Sequence, residues 1–269
     1  MYIFAFVFAV LSAGWTLVFG WDTVPHTGRW HVIGVDADTA ASLGERAFDE
    51  VLAREPVVAE GPAVEAVRDI VARLAPHANA LAGRDFDWDF AVIDDPAPNA
   101  FALPNGNLAV QTGLLPVTGL EDGLAAVVGH EIAHVIARHP EERLTQQEFA
   151  RLGQFAASLF FADADPAAQA AIAGALGLGA EYGILRPFSR THESEADRIG
   201  MILMARACYD PRAAAQIWQR MAELGRASPE ILSTHPAHET RIAQLSGHLA
   251  EAMAVRESAG CAPLPAQVG

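Results

Sequence analysis

His130, Glu131 and His134 stand within VVGHEIAHVIARH, Val127 to His139. On a helix, positions i and i+4 share one face, about 6 Å apart. Two imidazoles placed that way can hold one ion, with Zn–N distances near 2.0–2.1 Å. Glu131, one step round the helix, is poorly placed as a further ligand but can reach a water beside the ion. The competing reading is a pair of core histidines hydrogen-bonded to backbone. The surroundings weigh against it, because from Gly123 to Ala137 every residue other than these three is apolar or small. A helix that is apolar all round belongs in a protein interior. Three polar groups there must be satisfied or they destabilise the fold, and a metal satisfies them together.

Catalytic zinc takes three protein ligands and keeps one position open. THESEADRIG, Thr191 to Gly200, offers Glu193 as the third. Asp197 lies four residues on, on the same face, and can accept a hydrogen bond from the free nitrogen of a ligand histidine. A charge run usually marks a solvated face, but Ile199, Met201, Ile202 and Leu203 follow at once and argue for burial. Glu195 reads as a surface partner of Arg198. His192 projects about 100° away from Glu193 and is left out. His26, His31, His77 and His248 read as surface residues. His139, with Arg138, closes the motif helix, where the helix dipole favours cations.

The elements that must position these groups can be traced along the chain. Asp22 to Val35 reads as an extended linker. Asp36 or Asp38 can cap a helix with Leu43, Ala47, Val51 and Leu52 on its apolar face. A second helix follows Gly61-Pro62, with Val64, Val67, Val71 and Leu74 on one side. From Phe86 the period changes: FDWDFAVID, AFAL and NLAVQT are broken by DDPAPN and PNG, which predicts three strands in a small sheet. After Gly119 nearly everything reads as helix, with starts at Glu121, Asp165-Pro166, Thr191, Asp210-Pro211 and Pro236. The class is therefore α+β.

Bulk properties narrow the function further. The net charge is −15, from 33 acids against 18 bases, which excludes nucleic acid as the main partner because phosphate binding needs a basic face. Met1 to Trp21 carries no charged side chain and has the roughly 20-residue length that spans a bilayer. It lacks the basic start and the A-x-A site of a typical signal peptide. The organisation read from this is a membrane anchor or signal peptide over residues 1–21, a catalytic domain over 22–255 and a tail over 256–269. Cys208 and Cys261 are too few for a metal knuckle; they are either a pair formed in an oxidising compartment or two unrelated thiols.

HEIAH followed well downstream by ESEAD resembles the CAAX prenyl protease/HtpX-type gluzincin zinc metalloendopeptidases, on the side of the periplasmic BepA/LoiP and mitochondrial Oma-type branch. VPHTGR at Val24, PNAFALPNG at Pro98, RPFSRTHESEAD at Arg186, YDPRAA at Tyr209 and STHPAHETRIAQL at Ser233 resemble the same branch. The resemblance implies a mainly helical zincin-like domain with a small antiparallel β-sheet beside the active-site cleft. It implies one Zn2+ per chain on His130, His134 and Glu193, with Asp197 behind them and Glu131 as general base. His235 would donate to the oxyanion, or rest on the metal as a reversible fourth ligand; His238 is a weaker candidate in the same loop. Asn99, Ala100, Phe101, Ala102 and Leu103 would form the edge strand to which an extended substrate adds.

The implied partners are unfolded or misassembled proteins, and the implied role is protein quality control. The implied place is a bacterial cell envelope, with the catalytic domain in the periplasm, either anchored through the N-terminal segment or secreted if that segment is cleaved. The chain departs from the pattern in having PNG where the family often has PGG, in lacking a tetratricopeptide domain after the catalytic segments, and in lacking a lipobox cysteine. Two rival readings are a chaperone-like binder that does not cut and a protease gated by His235 or by Pro166–Leu185. The intact Glu131 weighs against the binder, which has no use for a base.

Overall fold

The computed structural model describes residue 11 and residues 13–119, 121–160, 189–224, 235 and 241–265, with backbone alone at 153–160 and 222–224. The helix start expected at Asp165-Pro166, the Pro166–Leu185 segment, His238 and residues 1–10 of the expected anchor lie outside the described residues. Among the described residues no helix is long and apolar enough to cross a membrane.

The centre of the molecule is the motif helix. We number it α4, Glu121–Ile136, after α1 (Ala37–Arg54), α2 (Pro62–Ala82) and the single turn α3 (Leu115–Thr118). It is followed by α5 (His139–Phe160), α6 (Arg190–Arg206), α7 (Arg212–Leu224) and α8 (Arg241–Ser258). Every residue of α4 from Gly123 to Ile136 is buried, as a helix apolar on all faces requires. It packs chiefly on α6, with α2, α7 and the sheet around it.

The α4–α6 contact is close because it is glycine on glycine. A Cβ added at Gly200 would lie 3.1 Å from the backbone nitrogen of His130, and one at Gly129 would lie 3.4 Å from the Gly200 carbonyl oxygen. This crossing brings Glu193 and Asp197 of α6 onto the His130 face of α4. Ser189 caps α6, its side chain accepting from the His192 N–H, so the helix starts just before the expected Thr191.

The helix from Asp36 is capped by that residue, which accepts from the Thr39 N–H at 2.8 Å. Its buried face is Ala40, Gly44 and Phe48, not the expected one; Leu43 and Leu52 are exposed. The face is chosen by Gly44, whose bare backbone lies against Asn105, the residue an added Cβ would meet at 2.7 Å. On α2 the expected stripe of Val64, Val67, Val71 and Leu74 is buried.

The strands are β1 (Trp21–Thr23), β2 (Trp30–Val32), β3 (Phe90–Ile93), β4 (Ala100–Ala102) and β5 (Leu108–Gln111). The three expected strands form one sheet in the order β3-β5-β4. It is mixed, with β3 and β5 parallel and β4 and β5 antiparallel. Asp94 to Asn99 carries two prolines and makes no tight hairpin, so β4 lands one place out and β5 fills the gap. A central strand has both faces covered, and β5 is buried at all four residues. Among the described residues β4 pairs only with β5, and it packs on α4. The segment read as a linker holds a second sheet, with β1 and β2 antiparallel and Thr23 opposite Trp30.

Cys208 and Cys261 form a disulfide, with Cα atoms 5.3 Å apart. Residues 256–265 of the segment read as a tail are fastened to the body. Arg256 is buried and donates to the carbonyls of Tyr209, Cys208 and Ala262. The bridge spans a sequence separation of 53, for which loop-closure entropy gives about 4 kcal/mol. Replacing both cysteines by alanine is expected to lower the unfolding free energy in urea by about that amount. An unchanged midpoint would show that the bridge contributes nothing.

Candidate metal and catalytic site

His130, His134, Glu193 and His235 are all buried and offer four donor atoms that lie within 4.8 Å of one another. His130 Nε2 is 3.1 Å from His134 Nε2 and 3.4 Å from His235 Nδ1. Glu193 oxygens lie 3.5 Å from both His130 Nε2 and His134 Nε2, and 3.0 Å from His235 Nδ1. An ion with bonds near 2.0–2.1 Å to a tetrahedron of ligands has those ligands about 3.3 Å apart. The donor set therefore fits zinc in size and in chemistry: imidazole nitrogens and one carboxylate. His235 Nδ1 is placed to take the fourth corner of such an ion, while its Nε2 lies 3.4 Å from Glu131 Oε1.

The groups behind these donors fix their aim. Asp197 Oδ1 is 3.0 Å from His130 Nδ1, as expected, and leaves Nε2 free to face the other ligands. Asp197 is itself gripped by Arg241 at 2.8 and 2.7 Å. Burial would raise the Asp197 pKa, but Arg241 and His130 hold it below the usual carboxylate value. Arg241 is 2% exposed, lies 2.6 Å from Glu193 Oε2 and stacks over Trp218 at 3.4 Å. Burial would likewise raise Glu193, which His235 and His130 keep well below its usual value. Glu131 differs: burial raises its pKa against the pull of His235 and His130, the direction that makes a carboxylate a better base at neutral pH.

A second polar cluster sits behind His134. His139 Nδ1 is 2.9 Å from His134 Nδ1, and His139 Nε2 is 3.2 Å from Glu195. Glu195 accepts from Thr27 Oγ1 and Arg29 Nε. Arg29 also forks onto both oxygens of Glu142, and Glu142 meets His31 and His192 at 3.1 and 3.2 Å. Several expectations are corrected here. Glu195 is buried and faces inward, because Arg198 pairs instead with Glu251 on α8. His31 is buried at 3% exposure and His139 at 0%. Burial pushes the His139 pKa down to about 4, although Glu195 pulls it up, so at neutral pH the ring is neutral and no dipole-bound cation.

Arg241, Arg29, Glu142 and the inward role of Glu195 escaped the sequence reading. One signal was present: a third histidine and a glutamate pair, HPEER, directly after an apolar helix. Of the expected substrate strand, Ala100–Ala102 form the outer strand β4, Asn99 accepts from the Gln111 N–H and the Leu103 N–H donates to Asn107. An apolar recess lined by Met204, Ile217, Trp218 and Met221 opens beside His130 and Glu131.

Comparison with known proteins shows the family. Peptidase family M48 matches residues 63–249. The chain is 36% identical to the mitochondrial metalloendopeptidase OMA1 of Schizosaccharomyces pombe, over 96% of this chain and 76% of that protein. It is 31% identical to the human mitochondrial metalloendopeptidase OMA1, over 90% of this chain and 48% of the relative. It is also 31% identical to the beta-barrel assembly-enhancing protease of Escherichia coli, over 82% of this chain and 46% of the relative. The chain thus spans about half the length of the latter two. It belongs to peptidase family M48, a family of metalloendopeptidases, on the branch it shares with OMA1 and the beta-barrel assembly-enhancing protease.

Proposed function

We propose that this chain is a zinc-dependent endopeptidase that cuts unfolded or misassembled proteins in a bacterial cell envelope. The observation that carries the reading is the buried convergence of His130, His134 and Glu193 with Glu131 at their side. Zinc, when bound, supplies a Lewis acid and brings the pKa of a water toward about 7. Glu131, buried beside these donors, is placed to act as general base toward a water held there and to return the proton to a leaving amine. β4 aligns the substrate by backbone hydrogen bonds, which select an extended chain over a particular sequence. The recess by Trp218 takes an apolar side chain flanking the cut.

The envelope placement is supported by the charge-free N-terminal segment and by the disulfide, which suits an oxidising compartment. The quality-control role is supported by the likeness to an E. coli protease named for enhancing beta-barrel assembly. The proposed arrangement keeps residues 1–21 as anchor or signal peptide and the catalytic domain in the periplasm.

One feature favours a gated form of the same enzyme. His235 fills the fourth corner and must withdraw before water and substrate enter. The test is digestion of casein and of a stably folded protein by the full chain and by His235→Ala. Cleavage of casein alone supports the substrate class. A faster His235→Ala variant supports the gate, and a slower one returns His235 to the role of oxyanion donor. Binding of casein without cleavage by either would overturn the protease reading in favour of a chaperone-like binder.

A further inference from the structure

Both histidines of the motif helix need the nitrogen facing the ion to be unprotonated. His130 meets this requirement directly, through Asp197 on Nδ1. His134 Nδ1 meets His139 Nδ1 at 2.9 Å. The geometry points to His139 as a positioning residue that sets the tautomer and aim of His134, as the middle member of a relay from Glu195. The proposal rests on the reading of His134 as a metal ligand.

The relay follows from counting protons. Glu195 already accepts from Arg29 and Thr27, and a carboxylate beside a guanidinium is an acceptor only. His139 Nε2, at 3.2 Å from it, must therefore carry a proton. Two N–H groups cannot face each other across the short contact to His134, whose ion-facing nitrogen must stay unprotonated and whose proton is therefore on Nδ1, so His139 Nδ1 is a lone pair. That lone pair lies 2.9 Å from His134 Nδ1, which must then be the donor. His134 Nε2 is left as a lone pair, and it is the atom that faces His130 Nε2 and Glu193. A doubly protonated His139 would reverse the chain and aim a proton at the ligand set. The fixed end of the relay is Arg29, which comes from the turn between β1 and β2 and ties Glu195 of α6 to Glu142 of α5. The same guanidinium lies between the two carboxylates and supplies charge opposite to both.

The test uses the full chain with its histidines labelled with 15N, alongside His139→Gln, His139→Leu and His134→Ala. Glutamine can accept from His134 and donate to Glu195; leucine can do neither. Zinc affinity is expected to fall about 10- to 100-fold in His139→Leu and to stay close to the unmutated value in His139→Gln. Imidazole 15N spectra of the metal-free protein are expected to show His134 protonated at Nδ1 in the unmutated chain and the Gln variant, and mixed between nitrogens in the Leu variant. Equal loss of affinity in the Gln and Leu variants, or a proton on His134 Nε2 in the metal-free chain, would overturn the relay. Full zinc affinity in His134→Ala would instead sink the ligand reading, while the metal-free spectrum still reports on the relay itself.

Discussion

Glu131→Gln is expected to slow peptide cleavage by about 10²- to 10⁴-fold, the range for loss of a general base, with the zinc content unchanged. Glutamine keeps the size of the side chain and so preserves packing at a position that is 2% exposed. It removes the one carboxylate at the site that is set apart from the ligands. Glu193 is held in its charged form by the histidines and faces the Arg241 guanidinium; Asp197 is committed to His130 and Arg241. Of these three carboxylates, Glu131 is the one whose pKa is raised, by burial, and its Oε1 lies 3.4 Å from His235 Nε2. The loss should appear in kcat, since glutamine takes no proton from water but leaves β4 and the apolar recess intact. A Gln variant with full kcat would assign the base to another residue.

Glu193→Ala is expected to lower zinc affinity by more than about 10²-fold, beyond the 10- to 100-fold typical of partners behind the ligands. Two effects add. One of three permanent ligands is lost, and its removal leaves the buried Arg241 guanidinium, 2.6 Å from the missing oxygen, with less opposing charge. A buried cation that has lost its partner is strongly destabilising, and it would lie beside the ion. Glu193→Gln separates these effects, since it keeps the volume and a weak oxygen donor while removing the charge. Dialysis against a zinc-buffered chelator series measures all three proteins. Equal affinities would remove Glu193 from the ligand set.

The convergence of these side chains was legible in the sequence because each pair lies on one helix, where spacing fixes the face: His130 with His134, and Glu193 with Asp197. Their burial was legible too, from the apolar runs around them. The groups behind them were not. Arg241 reaches Asp197 from α8, and Arg29 reaches Glu195 from a segment before the first long helix. Contacts of that kind depend on how helices cross, and here the crossing is set by Gly129 against Gly200. Glu195 and Arg198 looked like a local surface pair at helical spacing, yet two long-range partners, Arg29 and Glu251, divide them. The three strands of the sheet were legible too, but their order was not: the two prolines between β3 and β4 allow β5 to enter between them.

X-ray absorption at the zinc edge on the purified full chain tests the central claim most directly. The account predicts one zinc per chain with nitrogen and oxygen ligands near 2.0–2.1 Å. It also predicts imidazole scattering from His130, His134 and, at rest, His235. Sulfur scattering near 2.3 Å, a six-oxygen shell, or a chain that retains no zinc would contradict it.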